Sequence, residues 1–393
     1  MADLSVEIAG VKFKNPIGAS AGTNTYNVAR MKKCVEAGCG WVNTKSISYD
    51  PSTWPLPYPS NWFYDFHGDP GTLCTIETGF IKPDDGIKYI EELKPFAEKH
   101  DCRIIANVDM GNPEYFKEYR DYGKRMEDAG ADMIEAATPC PIVLPSIRMR
   151  QDWYKENIPR LVENIKAKVT IPVMVKIGPG FSLLIETMKL VEEAGAEVVH
   201  NWTYLPGTSI DVETGRPITP TTGLYLGHSL RGVACFEISQ MTLEGKIPIL
   251  SSGGVATWRD AVERIMCGAD LVGICTAAMY SGYKVYTRCV EGMESFMERK
   301  AYEKIDDIKG IAAPHVENPE EFVAFCMSLV RPKEAVKPVV DEEKCNGCEI
   351  CLSCLDGAIT VENNVARIDR DICGLCGVCA TICPSKAISY VEA

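Results

Sequence analysis

Sulfur dominates the chemistry this chain could do. Of its 18 cysteines, eight crowd into two short runs: Cys345, Cys348, Cys351 and Cys354, then Cys373, Cys376, Cys379 and Cys383. The second run reads C-x2-C-x2-C-x3-C and is followed by Pro384, a spacing that holds [4Fe–4S] cubes in two-cluster iron–sulfur proteins. Three closely spaced thiolates embrace one cube, and the fourth reaches across to the other. The pattern predicts Cys345, Cys348 and Cys351 with Cys383 on one cluster, and Cys373, Cys376 and Cys379 with Cys354 on the other. The first run departs from it, with two residues rather than three before Cys354, and Leu355 where the second run has Pro. Zinc is the alternative, since zinc sites also use C-x2-C pairs. Eight cysteines in two near-repeats, followed by the strand-like "GAIT" and "KAIS", disfavour it.

A second chemistry lies upstream. Lys45 and Lys176 each end an apolar run, where an unpaired ammonium is too costly to serve as core filler. Gly253 with Gly254, and Thr276 with Ala277, also follow apolar runs. Backbone N–H groups there can be aimed at a phosphate; the plainer alternative is a pair of tight turns. Cys140 stands between Pro139 and Pro141, in a stiff loop where a thiol can act as general acid or base or pack as a small buried side chain. Arg148 and Arg150 follow closely, offering forks for a carboxylate or phosphate or simply solvated charge at a helix start.

Such residues need a scaffold that brings them to one face. Apolar runs predict strands at Pro16–Ser20, Trp41–Lys45, Arg103–Val108, Met133–Ala137, Pro172–Ile177, Glu197–Asn201, Pro248–Ser252 and Leu271–Thr276. Between or after them, apolar residues recur at helical spacing, as in Gly86–Lys99, Tyr115–Ala129, Tyr154–Ala167, Leu184–Ala194, Thr257–Cys267 and Tyr283–Arg299. Gly130, Gly195 and Gly268 close three of these helices, at positions that favour positive φ. Eight strand–helix units predict a (β/α)8 TIM barrel over residues 1–300, with its chemistry at the C-terminal strand ends. Two Pro- and Gly-rich insertions, 46–82 and 202–230, fall on that side and read as ordered lids. Residues 301–340 form a connector with a short helix at Pro319–Leu329, and 341–393 form a small α+β, bacterial-type two-cluster ferredoxin-like domain.

Six segments in this order carry a wider resemblance: "NPIGASAG" at 15–22, "NTKS" at 43–46, "DMIEAATPCP" at 132–141, "VMVKIGPG" at 173–180, "SSGGVAT" at 251–257 and "GICTA" at 273–277. The chain resembles the class 1 dihydroorotate dehydrogenase family, most of all the catalytic region of dihydropyrimidine dehydrogenase with its trailing ferredoxin-like domain. The resemblance implies an FMN site, in which Lys45 and Lys176 meet the ring N1/O2 edge and the ribityl chain. A cation there stabilises the reduced flavin. Ala19, Ser20, Asn107, Asn201 and Ser229 match further flavin contacts. The resemblance also implies that Cys140 protonates one alkene carbon while flavin N5 delivers hydride to its neighbour, or acts as base in reverse.

The substrate shell differs from the family's. Thr75 stands in place of an asparagine, as do Ala137 and Ile142, while Pro139 replaces a serine and Trp202 a threonine beside Asn201. Sites built to hydrogen-bond an amide-rich ring strongly penalise other partners, so this pocket reads as drier. His200, Trp202 and Tyr204, with Arg148 and Arg150, are its additions.

The 393 residues are 46% hydrophobic and 24% charged, with a formal charge of −13. No basic patch suits nucleic acid, no apolar run suits a membrane span, and the N-terminus lacks a basic-then-apolar leader. A reducing, cytoplasmic setting is expected. The expected function is an iron–sulfur flavoprotein oxidoreductase of the dihydropyrimidine dehydrogenase kind, acting on an activated C=C bond through FMN and two [4Fe–4S] clusters. Alternatives are a divergent ring or enoyl reductase for a non-pyrimidine anionic substrate, a dihydroorotate dehydrogenase, and a non-catalytic electron-transfer subunit. With no glycine-rich Rossmann turn after its first strand, the chain should need an FAD/NAD(P)-binding subunit or a ferredoxin as partner. A homodimer core or hetero-oligomer is implied by the resemblance.

Overall fold

The computed structural model describes residues 2–55, 61–66, 69–74, 79–109, 111–138, 151–178, 183–217, 223–316, 323–324, 327 and 335–392, and of residues 61–66, 69–74 and 151 the backbone alone. The chain divides into two compact units, Met1–Glu317 and Asn318–Ala393.

The first unit is a closed barrel of eight strands: β1 (Ile17–Ala19), β2 (Trp41–Asn43), β3 (Arg103–Asp109), β4 (Met133–Ala137), β5 (Val173–Ile177), β6 (Val198–Trp202), β7 (Ile249–Ser252) and β8 (Leu271–Ile274). Each strand pairs in parallel with the next, and β8 returns to β1. Helices α1 (Val28–Glu36), α2 (Pro83–Lys99), α3 (Glu118–Asp128), α4 (Gln151–Lys166), α5 (Leu184–Glu193), α6 (Arg231–Glu244) and α7 (Trp258–Cys267) follow the first seven strands, and α8 (Thr276–Ser281) and α9 (Lys284–Lys300) follow the eighth. Gly130, Gly195 and Gly268, at φ of 106°, 83° and 118°, turn α3, α5 and α7 into the next strand.

Two faces of each strand are buried for different reasons. Outward residues such as Ile104, Ala106 and Val108 pack under the helices, against Tyr119, Tyr122 and Met126 of α3 among others. Inward, Trp41, Ile105, Met133, Met174, Val198, Leu250 and Leu271 plug the barrel's lower end. An N-terminal hairpin, Val6–Ile8 with Val11–Phe13, adds Ile8 and Phe13 to that plug. Gly18 has to be glycine, because a Cβ there would lie 2.1 Å from the Trp41 ring.

The two insertions meet over the upper end. Asn61–Phe66 and Asp69–Cys74 from the first pair with Gly223–Gly227 and Leu205–Gly207 from the second, in one four-stranded antiparallel sheet.

In the second unit Val336–Val340 pairs antiparallel with Ile388–Glu392, and Ile359–Glu362 with Val365–Ile368. The first of these strands falls in what the sequence suggests is linker. Most of the helix expected at Pro319–Leu329 lies outside the described residues.

Candidate active site

Residues i and i+2 of a strand share a face, so the side chains above the plug can be read from register. Asn43 follows Trp41, Asn107 follows Ile105, Glu135 follows Met133, Lys176 follows Met174, His200 follows Val198 and Ser252 follows Leu250. All six are buried. Ser20 and Gly273 complete this tier, packed so tightly that a Cβ on Gly273 would lie 1.9 Å from Ser20 Oγ.

A buried carboxylate and imidazole are costly unless they are paired. Glu135 accepts a hydrogen bond from Asn107 Nδ2 and pairs with His200 Nδ1; His200 Nε2 lies 2.7 Å from Ser252 Oγ. Burial opposes the charge on Glu135, but the His200 ring and then Lys176 outweigh it and hold the carboxyl below its ordinary range. Burial also lowers the basicity of His200, and Glu135 offsets this only in part.

Above this tier opens a cleft of about 550 Å³, counted out to open solvent. Ser20, Lys176, Trp202, Ser252, Gly253 and Gly254 line it, with Thr276 and Ala277 at the start of α8. The lid sheet contributes Leu226 and Gly227. Lys176 Nζ sits 4.1 Å from the centre of the Trp202 ring, and Trp202 packs on Tyr204 with centroids 4.4 Å apart. Lys45 Nζ lies 5.1 Å from the centre of the Phe80 ring. Asp109 accepts from Ser48 Oγ at 3.2 Å and from the Gly111 N–H at 3.0 Å.

The double glycine after β7 is braced from behind. Gly253 and Gly254 have φ of 98° and 78°. A Cβ on Gly253 would lie 2.3 Å from the Thr203 carbonyl oxygen, and one on Gly254 2.9 Å from the Arg231 nitrogen. Arg264 of α7, fully buried, donates to the carbonyls of Gly253 at 2.7 Å and Arg231 at 3.1 Å.

These features fit FMN. The Ser20 hydroxyl is buried without a hydrogen-bond partner among the described residues, Lys176 supplies a cation, and the glycine turn brings backbone to the cleft in a packing that a side chain would clash with. Ser20 and Lys176 would hold the ring and ribityl chain, and Gly253, Gly254, Thr276 and Ala277 the phosphate.

Not every expected residue joins this cleft. Ala19 is buried on β1 beside Ser20, and Asn107 and His200 lie beneath the floor. Asn201 faces the other way, donating to Glu237 on α6 at 3.1 Å. Ser229 is exposed, 2.8 Å from the Tyr225 hydroxyl. Cys140, Thr75, Arg148 and Arg150 lie outside the described residues. Glu135, Ser252 and Arg264 were not singled out from sequence. For Glu135 the signal was present: an acid at the centre of an apolar strand, in phase with Met133 and Ala137.

In the second unit, Cys345, Cys348, Cys351 and Cys383 line a cavity of about 330 Å³. Cys354, Cys373, Cys376 and Cys379 line another of about 420 Å³, with Cys351 between the two. Each cavity gathers the four cysteines that the spacing assigns to one cluster. Backbone N–H groups of Ala366, Leu375 and Ala387 approach the sulfurs of Cys345, Cys373 and Cys383 at 3.4, 3.4 and 3.3 Å, donors that stabilise thiolate charge.

A closed barrel with a cleft at its upper end, and a second unit with cysteine-lined cavities, are the features of an iron–sulfur flavoprotein oxidoreductase. Residues 3–297 match the dihydroorotate dehydrogenase family, and residues 366–389 the 4Fe–4S binding domain. The chain belongs to the dihydroorotate dehydrogenase family, whose members are flavin enzymes acting on CH–CH groups. It is 28% identical over 316 residues to the catalytic subunit of dihydroorotate dehydrogenase B (NAD(+)) from Pyrococcus furiosus, covering 79% of this chain and 98% of that one. The corresponding subunit from Methanothermobacter thermautotrophicus is 30% identical over 312 residues, covering 79% and 98%. The crystal structure of dihydroorotate dehydrogenase from Eimeria tenella in complex with ferulenol shares the fold, with a TM-score of 0.64 at 21% identity over 79% of this chain and 88% of that one. The expectation that put dihydropyrimidine dehydrogenase first is not confirmed: the family and these relatives favour the dihydroorotate dehydrogenase alternative. Among the described residues no helix is long and apolar enough to cross a membrane.

Proposed function

We propose that the chain is the catalytic subunit of a dihydroorotate dehydrogenase-type enzyme, moving an electron pair between a ring CH–CH bond and FMN, and onward through two [4Fe–4S] clusters. The observation that carries this reading is the pairing of one cleft, with Lys176, Ser20 and the braced double glycine, with two cavities of four cysteines each. FMN supplies a hydride acceptor. Lys176 sets a positive charge at the cleft floor, where it favours negative charge arriving with the hydride. Arg264 holds the phosphate turn in shape, and the lid strand residues Leu226 and Gly227 narrow access by water. Cys140, after β4, takes or returns the one proton that leaves the CH–CH bond alongside the hydride. The electron acceptor is a cytoplasmic FAD/NAD(P)-binding subunit or a ferredoxin, in a hetero-oligomer or around a homodimer core. The substrate couple is a small unsaturated molecule and its CH–CH form, the CH–CH form being the one that gives up the hydride.

A second reading concerns the ring. Trp202 covers Lys176, and Ala137 stands where the resemblance implies an asparagine. Both favour a substrate with fewer amide groups than orotate. Anaerobic mixing of the holoprotein with L-dihydroorotate, dihydrouracil, dihydrothymine or the reduced form of an unsaturated carboxylate separates the readings. Bleaching of the flavin band by dihydroorotate alone supports the first. If dihydroorotate leaves the band unchanged while a reduced unsaturated carboxylate bleaches it, the second holds. Bleaching by none of these, in protein that dithionite reduces, overturns both.

A further inference from the structure

We propose that His200, held between Glu135 and Ser252 beneath the cleft floor, is a positioning residue that takes up one proton when the flavin is reduced and releases it on reoxidation. The inference rests on the flavoprotein reading above.

Its argument is the hydrogen-bond chain. An ionised Glu135 can only accept, so His200 Nδ1 carries the hydrogen between them. In the neutral ring Nε2 is then an acceptor, and the Ser252 hydroxyl, 2.7 Å away, donates to it. Ser252 also lines the cleft. Protonation of Nε2 reverses that last bond: the imidazolium donates to Ser252 Oγ, whose own O–H turns free to donate into the cleft. One proton beneath the floor thereby becomes one hydrogen-bond donor at the floor.

Charge balance gives the reason for uptake. The groups facing His200 from the other seven strands are Ser20, Asn43, Asn107, Glu135, Lys176, Ser252 and Gly273. Of these only Glu135 and Lys176 carry charge, one of each sign, and the next tier adds Lys45 and Asp109. A hydride brings two electrons and one proton, a net charge of −1. Lys176 favours the arriving charge but also stabilises Glu135, so one cation faces two negative charges and the balance is uncompensated in a region of low polarity. His200, neutral at rest because burial lowers its basicity, can accept that proton, while its own ring and Lys176 hold Glu135 ionised. With one further proton drawn from solvent across the Ser252 hydroxyl to Nε2, the overall change is two electrons and two protons.

The test is a spectroelectrochemical titration of the flavin band in the anaerobic full-length holoprotein between pH 7 and 8. For a two-electron couple each coupled proton shifts the midpoint by about 30 mV per tenfold change in proton activity. The wild type is expected to fall by about 60 mV per pH step, and His200→Gln, which still offers an N–H to Glu135 and an oxygen to Ser252, by about 30 mV. Equal slopes in the two proteins, or about 30 mV in the wild type, overturn the inference. Should the variant not fold, imidazole 15N shifts of the wild type, with its five histidines, decide the matter. Nε2 protonated only after reduction supports it; the same neutral ring in both states overturns it. Protein that binds no flavin overturns the functional reading itself, a result distinct from bound flavin with unchanged slopes.

Discussion

Asp109 ends β3 facing the mouth of the barrel, and burial pushes its carboxyl up to about 6 from 3.8, against the opposing pull of the Gly111 N–H, Ser48 and Lys45. A carboxyl raised on folding means that the folded state binds the proton more tightly than the unfolded chain does. Stability is then full below about pH 4 and falls as pH rises through about 6. The loss is on the order of 3 kcal/mol. Asp109→Asn should therefore be more stable than the wild type at pH 7.5 by up to about 3 kcal/mol, with the gap closing toward pH 4. Urea unfolding at the two pH values checks it; a gap that does not change with pH removes the argument. Cys140→Ala should keep its flavin but slow substrate-driven bleaching by about 10²- to 10⁴-fold, the usual weight of a placed general acid or base. Stopped-flow absorbance measures this. At this scale the sequence was informative about residues whose type is odd for their place, such as Lys176 and the paired Gly253 and Gly254. It was silent about partners. That Asn201 turns from the cleft to Glu237 follows from strand parity, but the acid it meets stands 36 residues away on α6.

The elements were legible where a rule is local. Each barrel strand holds a short stretch of apolar residues, and α3, α5 and α7 end at a glycine of positive φ, so both signals sit within about a dozen residues. The lid sheet obeys no local rule. Pro70 and Gly71 lie inside one of its strands and Pro206 and Gly207 inside another, which erases alternation. Its pairing of Thr72 with Leu226 spans more than 150 residues of chain. The brace behind the double glycine is equally non-local, since Arg264 on α7 serves the carbonyls of Gly253 and Arg231 at once. Arg264→Lys keeps the charge but loses the fork. A charge-assisted hydrogen bond contributes about 1.5–3 kcal/mol, so the variant should bind FMN at least about tenfold more weakly and unfold at lower temperature. Its iron content should stay unchanged, because the cysteine cavities lie in the other unit. The flavin-to-iron ratio after gel filtration is the measurement; an unchanged ratio would show that α7 does not brace the site.

For the whole molecule, the question is whether the tail carries one cluster or two. The family match covers only 366–389, the second cysteine run. The first run is the one with a residue missing between Cys351 and Cys354. The backbone absorbs that loss in a tight 3-10 turn, Ile350–Ser353, whose end brings the Cys354 N–H to 3.2 Å from the Cys351 carbonyl. This tighter turn leaves Cys351 on the edge of both cavities and delivers Cys354 to the wall of the second, with Cys373, Cys376 and Cys379. Each run therefore lends its last cysteine to the cavity lined by the other, Cys383 to the first and Cys354 to the second. If so, Cys354→Ser should empty or convert the second site alone, lowering iron from about eight per chain to about four. Substrate should still bleach the flavin at the wild-type rate, since Lys176, Ser20 and the glycine turn all belong to the barrel. Reoxidation by an external one-electron acceptor should slow, because the path from flavin outward has lost a relay. Iron and sulfide analysis with the two half-reactions measured separately tests each step. Full iron in the variant would mean that Cys354 is no ligand, and an unaltered reoxidation rate would mean that electrons leave the flavin without passing the second cavity.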